Sequence, residues 1–390
     1  MDLVRNPYSP GAGSPPPALV GRNEELRTLE VAVQRLGLGR PARSLILTGL
    51  RGVGKTVLLR EFGRIGEQHR WIYQKIEATE DFDLPASMAI LVRKSILRLS
   101  TSQRVAERAG RALGVLKSFQ LRWELPTNGS VVARLDPVPG YADSGTLDHD
   151  LGDLFTEVGE LARDRGIGVL FTFDEMQYLR KQHLTSLIVG LHSISQEQLP
   201  FVVVGAGLPS LIAQVGDSRS YAERLFEFRV INSLKTAEAK AALVEPANDE
   251  GVRWHPDALE QVIARTGGYP YFLQEFGKQV WDVAEGLHEL TPVDVDAAIP
   301  IATDELDSGF FRMRFDRTTD MERAYLAAMG SLGAGPYLSG EVAAAMGKTT
   351  AQVGPHRDTL IKRGLCYSPR HGVIDFTVPM FDEFLRRRRS

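Results

Sequence analysis

The stretch Gly49-Leu50-Arg51-Gly52-Val53-Gly54-Lys55-Thr56 carries the most specific chemistry in the chain. It fits G-x-x-x-x-G-K-[ST], and each position has a physical reason. Glycines at 49, 52 and 54 let the backbone curl so that successive N–H groups point inward at phosphate oxygens. Lys55 supplies a point charge for the β- and γ-phosphates, and the Thr56 hydroxyl is a ligand for Mg²⁺. The candidate cradle is therefore Gly49, Leu50, Arg51, Gly52, Val53, Gly54, Lys55, Thr56 and Val57. A second site is Val169-Leu170-Phe171-Thr172-Phe173-Asp174-Glu175, an apolar run that ends in adjacent carboxylates. Asp174 is placed to hold the same Mg²⁺ with Thr56, and Glu175 to polarise an attacking water. Glu175 and Lys55 are the candidate catalytic residues.

These groups need elements that hold them in place. Leu45-Ile46-Leu47 before the first motif is a strand, and Val57, Leu58, Leu59 and Phe62 after it have helical spacing, so a helix N-terminus faces the phosphates. Strands are expected at 44–48, 71–76, 168–173, 201–204 and 226–231. Helices are expected at 55–66, 87–99, 150–164, 184–194 and 208–215. Strands separated by helices of this length require crossovers and hence a parallel sheet covered on both faces. Residues 101–147 break the rhythm. A basic helix over 103–117 precedes runs at 119–125 and 131–135 that flank Thr127-Asn128-Gly129, a hairpin signal, and the region reads as an insertion. Residues 236–303 are helical and strand-poor. After a helix at 304–315, three helix patterns (321–332, 339–346, 350–363) precede two short strands at 365–368 and 373–378. That is the order of the winged form of the helix-turn-helix.

Composition narrows the class. Of the 390 residues 43% are hydrophobic and 24% charged, as in ordinary globular domains, and the net charge of −3 excludes a polycation. Residues 320–390 hold 10 Lys/Arg and 7 Asp/Glu, which makes this end the better place for an anionic partner. A single cysteine, Cys366, leaves no disulfide framework and points to a reducing compartment, the cytoplasm. Residues 1–17 lack a signal-peptide core. The longest uncharged run, 198–216, contains two prolines and a Gly-Ala-Gly break, which argues against a membrane span. The eight histidines show no zinc spacing.

Val20-Gly21-Arg22 followed by Glu24, Glu25 and Leu26, then Gly49–Thr56, Asp174-Glu175 and Gly267-Gly268-Tyr269-Pro270, in this order, resemble AAA+/STAND-type P-loop ATPases. The likeness is to the origin-recognition-like, archaeal-ATPase-like branch with a C-terminal winged helix, and it covers roughly residues 19–385. It implies an α/β fold with sheet order 5-1-4-3-2 and a helical lid. It also implies ATP as ligand with Mg²⁺, and adenine contacts from Val20, Gly21, Arg22 and Pro270. Two departures stand out. The fourth strand ends Val204-Gly205-Ala206-Gly207 with no polar sensor, and the turn after Thr266 has tyrosines where many members have a lid arginine. Both imply slow, switch-like hydrolysis. Arg224, before the fifth strand, resembles an arginine that reaches a neighbouring subunit's phosphate, with Arg219 as rival, and implies a homo-oligomer. In the C-terminal module, Lys348, Arg357, Lys362, Arg363, Arg370 and Arg386–Arg389 suit phosphate contacts to duplex DNA, while a protein partner is the alternative. The expected domains are a disordered or extended tail at 1–18, an ATPase core at 19–235 with the 101–147 insertion, a lid and linker at 236–318, and a winged helix at 319–390. The expected function is an ATP-dependent switch coupling nucleotide state to assembly or DNA engagement. The alternatives are a signalling ATPase with a protein partner and a nucleotide-binding scaffold with negligible hydrolysis.

Overall fold

A computed structural model of the chain describes residues 1–11, 13, 15–101, 105–126, 132, 134–286 and 288–388. After α1 (Asn23–Gly37) come β1 (Ser44–Thr48), α2 (Lys55–Gln68), β2 (Ile72–Glu77), α3 (Leu84–Leu99), α4 (Ala106–Arg122) and α5 (Leu147–Arg165). Then follow β3 (Val169–Asp174), α6 (Lys181–Gln196), β4 (Phe201–Gly207), the short α7 (Leu211–Gly216) and α8 (Ala222–Leu225), and β5 (Phe226–Val230). The five strands form one parallel sheet in the order β2-β3-β4-β1-β5. Read from the other edge, that is the order 5-1-4-3-2 implied by the resemblance.

Strand periodicity assigns the two faces. Leu45 and Leu47 of β1, Leu170 of β3 and Val202 and Val204 of β4 bury into one core with α1 and α2. Ile46, Val169, Phe171, Phe173, Phe201 and Val203 bury into the other with α3 to α6. Alternate side chains thus serve opposite layers, as a pleated strand requires. With all six residues of β3 buried, the acidic end of that strand emerges from the middle of the sheet.

The segment expected as an insertion is part of the helical layer. Helix α4 packs on α3 and α5 through Ala109, Ala112, Leu113, Leu116 and Phe119, an i, i+3, i+4, i+7 stripe. The strand expected to start at Phe119 is therefore helical to Arg122, because this stripe continues through Phe119. The Thr127-Asn128-Gly129 hairpin and Gln103 lie outside the described residues.

The lid comprises α9 (Thr236–Asp249), α10 (Pro256–Thr266), α11 (Pro270–Val283) and α12 (Pro292–Glu305), with a two-stranded parallel pair, β6 (Arg253–Trp254) and β7 (Glu289–Leu290). Three of these helices start on proline, whose fixed φ and missing N–H suit a first helical position. A π-helical turn (Leu306–Phe311) and α13 (Arg312–Phe315) lead into the C-terminal domain. That domain contains α14 (Asp320–Ser331), β8 (Tyr337–Leu338), α15 (Ser339–Ala345), α16 (Thr350–Lys362), β9 (Cys366–Tyr367), β10 (Val373–Phe376) and α17 (Phe381–Arg387). Its antiparallel sheet has the order β8-β10-β9, one strand more than the pattern predicts.

Residues 1–9 correct the expectation of a disordered or extended tail, for they are seated on the lid. Tyr8 is buried and donates to the Leu243 carbonyl, while Trp254 and Trp281 donate to Tyr8 Oη and the Asp2 carbonyl. An aromatic residue that buries its ring and satisfies its hydroxyl anchors a segment whose Pro/Gly content alone reads as loose. Phe311 joins lid to C-terminal domain, with ring centroids 6.2 Å from Phe272 and 5.6 Å from Phe381.

Candidate nucleotide site

The phosphate loop sits at the carboxyl end of β1, between β4 and β5. Its backbone needs glycine at two positions with φ of +86° (Gly52) and +95° (Gly54), a region costly for other residues. Gly49 is needed for space, since a Cβ there would run into the Ile231 carbonyl oxygen. Lys55 begins α2, is 7% exposed, and donates to the carbonyls of Gly49 (2.9 Å) and Leu50 (2.8 Å). Burial lowers its pKa to about 8, against the opposing pull of Glu175 and Asp174 and with a further push down from Arg51.

Two carboxylates from β3 close the site from the side. Asp174 is buried; its Oδ2 accepts from Thr56 Oγ1 at 2.7 Å and its Oδ1 from the Glu175 amide at 3.0 Å. The two groups expected to share Mg²⁺ are thus in direct contact. Glu175 has φ +54°, a left-handed conformation unusual for a non-glycine residue and typical of functional turns. One of its carboxylate oxygens lies 3.5 Å from Arg51 Nη1, and the other accepts from Gln177 Nε2.

The remaining expected residues take different places. Arg22 is buried, donating to the carbonyls of Val53 (3.1 Å) and Asn232 (2.7 Å), so it braces the phosphate loop against the chain leaving β5. Desolvation lowers its pKa, with Glu25 and Glu238 opposing. Gly21 has φ +68°, and a Cβ there would lie 2.6 Å from Glu238 Cδ. Val20, half-buried, packs against the same core. Pro270 opens α11 beside the loop: the Tyr271 amide donates to the Gly52 carbonyl at 3.3 Å. Arg224, in contrast, is exposed in α8 and makes no ion pair among the described residues. Phe226 pairs with Ser44, which puts Arg224 at the amino end of the sheet, opposite the phosphate loop. It could meet such a loop only on another copy. Arg219 is taken by Asp148 at 3.0 Å.

Four groups escape the sequence reading. Gln177 fills the place where β4 offers no sensor: it accepts from the Leu208 amide, and a Cβ on Gly207 would lie 2.9 Å from its Oε1. The glycines of β4 are thus matched to Met176 and Gln177, a pairing no local pattern reveals. Tyr178 Oη accepts from Arg51 Nη2 at 3.0 Å. Tyr269 is buried beside Gly52, and its hydroxyl has no partner among the described residues. Arg314 lies over the Phe310 ring (3.9 Å), which stacks on Tyr271 (4.7 Å); burial, then Arg51, lowers its pKa.

The residues present fit a nucleoside triphosphate with a divalent cation. The loop's glycines leave room for anions, and Lys55 and Arg51 offer charge. Among the described residues no cluster of three His, Cys, Asp or Glu could hold a metal alone. The hydroxyl and carboxylate of the Thr56–Asp174 pair suit Mg²⁺, which takes few protein ligands and completes its shell with phosphates and water.

Residues 18–204 match the AAA ATPase domain family. That match takes in just under half of the chain. Residues 308–385 match a domain of unknown function (DUF8462). Among solved structures, the Walker-type ATPase PABY2304 of Pyrococcus abyssi is similar at TM-score 0.58 and 16% identity, over 94% of this chain and 96% of that one. The likeness shows a shared fold through lid and C-terminal domain. The Orc1 protein of Aeropyrum pernix, solved in complex with DNA, overlaps more loosely (TM-score 0.48, 16% identity, 95% of this chain and 93% of that one). A comparison with the curated proteins gave no match. The first match stops within β4, while β5 completes the same sheet beside β1 and the second match takes in most of the C-terminal domain. Among the described residues, no helix is long and apolar enough to cross a membrane.

Proposed function

We propose that this protein binds ATP with Mg²⁺ at the loop 49–56 and hydrolyses it slowly, as a cytoplasmic switch whose nucleotide state sets the position of the C-terminal domain. The observation that carries the reading is the Thr56–Asp174 contact at 2.7 Å beside Lys55, with Glu175 next in the chain. Mg²⁺ held by Thr56 and Asp174 supplies charge neutralisation at the β- and γ-phosphates. Lys55 and the loop amides bind and orient the phosphates, Val20–Arg22 and Pro270 flank the base, and Glu175 accepts a proton from water. Slowness follows from β4, where Gln177, already committed to Glu175 and Leu208, stands where a free water-orienting group belongs.

The helix–strand–helix–helix–strand–strand order of the C-terminal domain supports a winged helix. A protein partner is favoured over duplex DNA by the fate of its arginines. Arg363 pairs with Glu322, Arg386 with Asp382, Arg387 with Asp307, and Arg388 with Asp316. Lys348, Arg357, Lys362 and Arg370 make no ion pair among the described residues and are the remaining phosphate contacts for DNA; Arg389 lies outside the described residues. Arg224 supports a homo-oligomer in which it serves a neighbour's site.

The test is ATP binding and turnover by the purified protein, with Lys55→Ala and Glu175→Gln beside it and duplex DNA at two salt concentrations. Binding lost in the first variant and turnover lost in the second support the reading. Binding without turnover in the wild-type protein leaves a nucleotide-binding scaffold. A steep loss of DNA affinity with salt restores the nucleic-acid partner.

A further inference from the structure

Arg51 belongs to the phosphate loop, yet most of its bonds leave it. Its amide donates to the Thr377 carbonyl at 3.3 Å and its Nε to the Gly364 carbonyl at 3.2 Å, both in the C-terminal domain. Its two terminal nitrogens reach the other way, Nη2 to Tyr178 Oη at 3.0 Å and Nη1 to 3.5 Å from Glu175 Oε1. One guanidinium therefore touches the C-terminal domain and the candidate base at once. Its planar fork fixes the two directions relative to each other, which a lysine would not do.

The C-terminal side is shaped for this contact. Gly364 follows α16 with φ +67°, and a Cβ on it would lie 2.6 Å from Arg51 Nη2. Thr377 Oγ1 donates to the same Gly364 carbonyl at 2.6 Å, holding it in place. Two ion pairs far from the loop clamp the domain down: Arg265 with Glu383 at 2.9 Å and Arg387 with Asp307 at 2.6 Å.

The consequence falls on Glu175. A general base needs a lone pair aimed at the water it deprotonates. Here one carboxylate oxygen faces Arg51 and the other accepts from Gln177. If residues 364–377 move away, Arg51 loses two carbonyl acceptors and is free to turn toward an anion in its own loop.

We propose that Arg51 is a positioning residue that ties the C-terminal domain to Glu175, withholding this base until residues 364–377 release the phosphate loop. The inference rests on the ATPase reading above and names the contact through which the C-terminal domain governs it.

The experiment compares wild-type protein with Gly364→Ala, Glu383→Ala, Arg51→Ala and the Arg51→Ala/Glu383→Ala double variant. Steady-state kinetics is read together with amide hydrogen exchange over residues 364–378. Gly364→Ala and Glu383→Ala are expected to raise kcat about tenfold, within the usual range for coupling between sites, with little change in KM. Exchange over 364–378 rises in both. Arg51→Ala raises kcat as well, and adding Glu383→Ala to it gives no further rise. Faster exchange with unchanged or lower kcat overturns the proposal. So does a double variant in which the two increases multiply, because the domain then acts by another route. Absence of ATP binding in the wild-type protein is failure of the nucleotide reading itself. Exchange unchanged between wild type and Arg51→Ala overturns the tie independently of any turnover.

Discussion

The two loops that meet at the site are built in opposite ways. The phosphate loop takes its turn mainly from its own residues: Gly52 and Gly54 take left-handed conformations and Lys55 turns back onto the carbonyls of Gly49 and Leu50, while Arg22, Tyr271 and Thr377 bond to its backbone from outside. The carboxylate loop after β3 is shaped by residues far away in the chain. Glu175 is held by Arg51 and Gln177, Gln177 by Leu208, and Arg51 by Gly364 and Thr377. A loop set by local backbone is a fixed receptor, whereas one set by distant side chains can be switched. The comparison predicts that loss of Lys55 abolishes binding, whereas variants at Glu175 and at Arg51, which reaches across to it, change rate with binding intact.

The largest effect is expected where both loops converge on chemistry. Glu175→Gln keeps the shape of the side chain but cannot accept the proton, so turnover should fall by about 10²–10⁴ while ATP still binds. Lys55→Ala should remove ATP binding itself. Calorimetry with a slowly hydrolysed analogue separates the two variants. Equal loss of affinity in both would erase the distinction between receptor and switch.

The next effect is a pH dependence confined to the phosphate loop. Burial lowers Lys55 to about 8, so its charge is lost at a pH where an exposed lysine keeps it. The bound phosphates require the charged form, and affinity for ATP should fall by up to about tenfold per pH unit above that value. Without nucleotide the sign is set by the same lowered pKa. The unfolded chain binds the proton more tightly, so Lys55 makes stability rise with pH from about 8 to the ordinary lysine value near 10.5. Titrating ATP at several pH values checks the first statement, and urea melts check the second. A flat affinity profile across this window would refute the role of a buried, charged Lys55.

This contrast also explains what could be read from the chain. The five strands and the loop 49–56 follow from local signals, apolar runs in β1, β3 and β4 and a glycine pattern, whereas the sheet order and the lid come with the family resemblance. Gln177 and Arg51 as partners of Glu175 were not legible, because Gln177 is set by Leu208 just past the end of β4 and Arg51 by Gly364 and Thr377 in the C-terminal domain. The Phe119 stretch failed for a related reason. Its apolar residues suit either a strand or a helix, and the choice is made by burial of the α4 stripe against α3 and α5. Residues 1–9 were misjudged because Pro and Gly content says nothing of the lid surface that Tyr8 enters.

A smaller effect probes the phosphate loop as a backbone device. Gly52→Ala asks an alanine to hold φ +86° with its Cβ 3.0 Å from the Tyr269 ring, which should cost about 1–2 kcal/mol in stability from the backbone alone. The same substitution at Gly37, which has a negative φ and open space around it, should be neutral or slightly stabilising in a chemical melt. Equal responses at the two positions would mean that the loop adapts, contrary to a fixed receptor.

The smallest effect concerns Tyr269, whose hydroxyl is buried beside Gly52 with no partner among the described residues. Burial raises its pKa, so it stays neutral and carries a desolvation cost without a compensating bond. Tyr269→Phe keeps the ring, its packing on Phe272 at 4.8 Å and its contact with Gly52, and removes only that cost. The variant should be more stable by about 1 kcal/mol in a chemical melt. ATP binding decides what the hydroxyl is for. Unchanged affinity would make it a tolerated defect of the receptor, while weaker binding together with higher stability would make it a donor kept unpaired for the ligand. In the second case the receptor loop also depends on a distant residue, and the contrast between the two loops becomes one of degree.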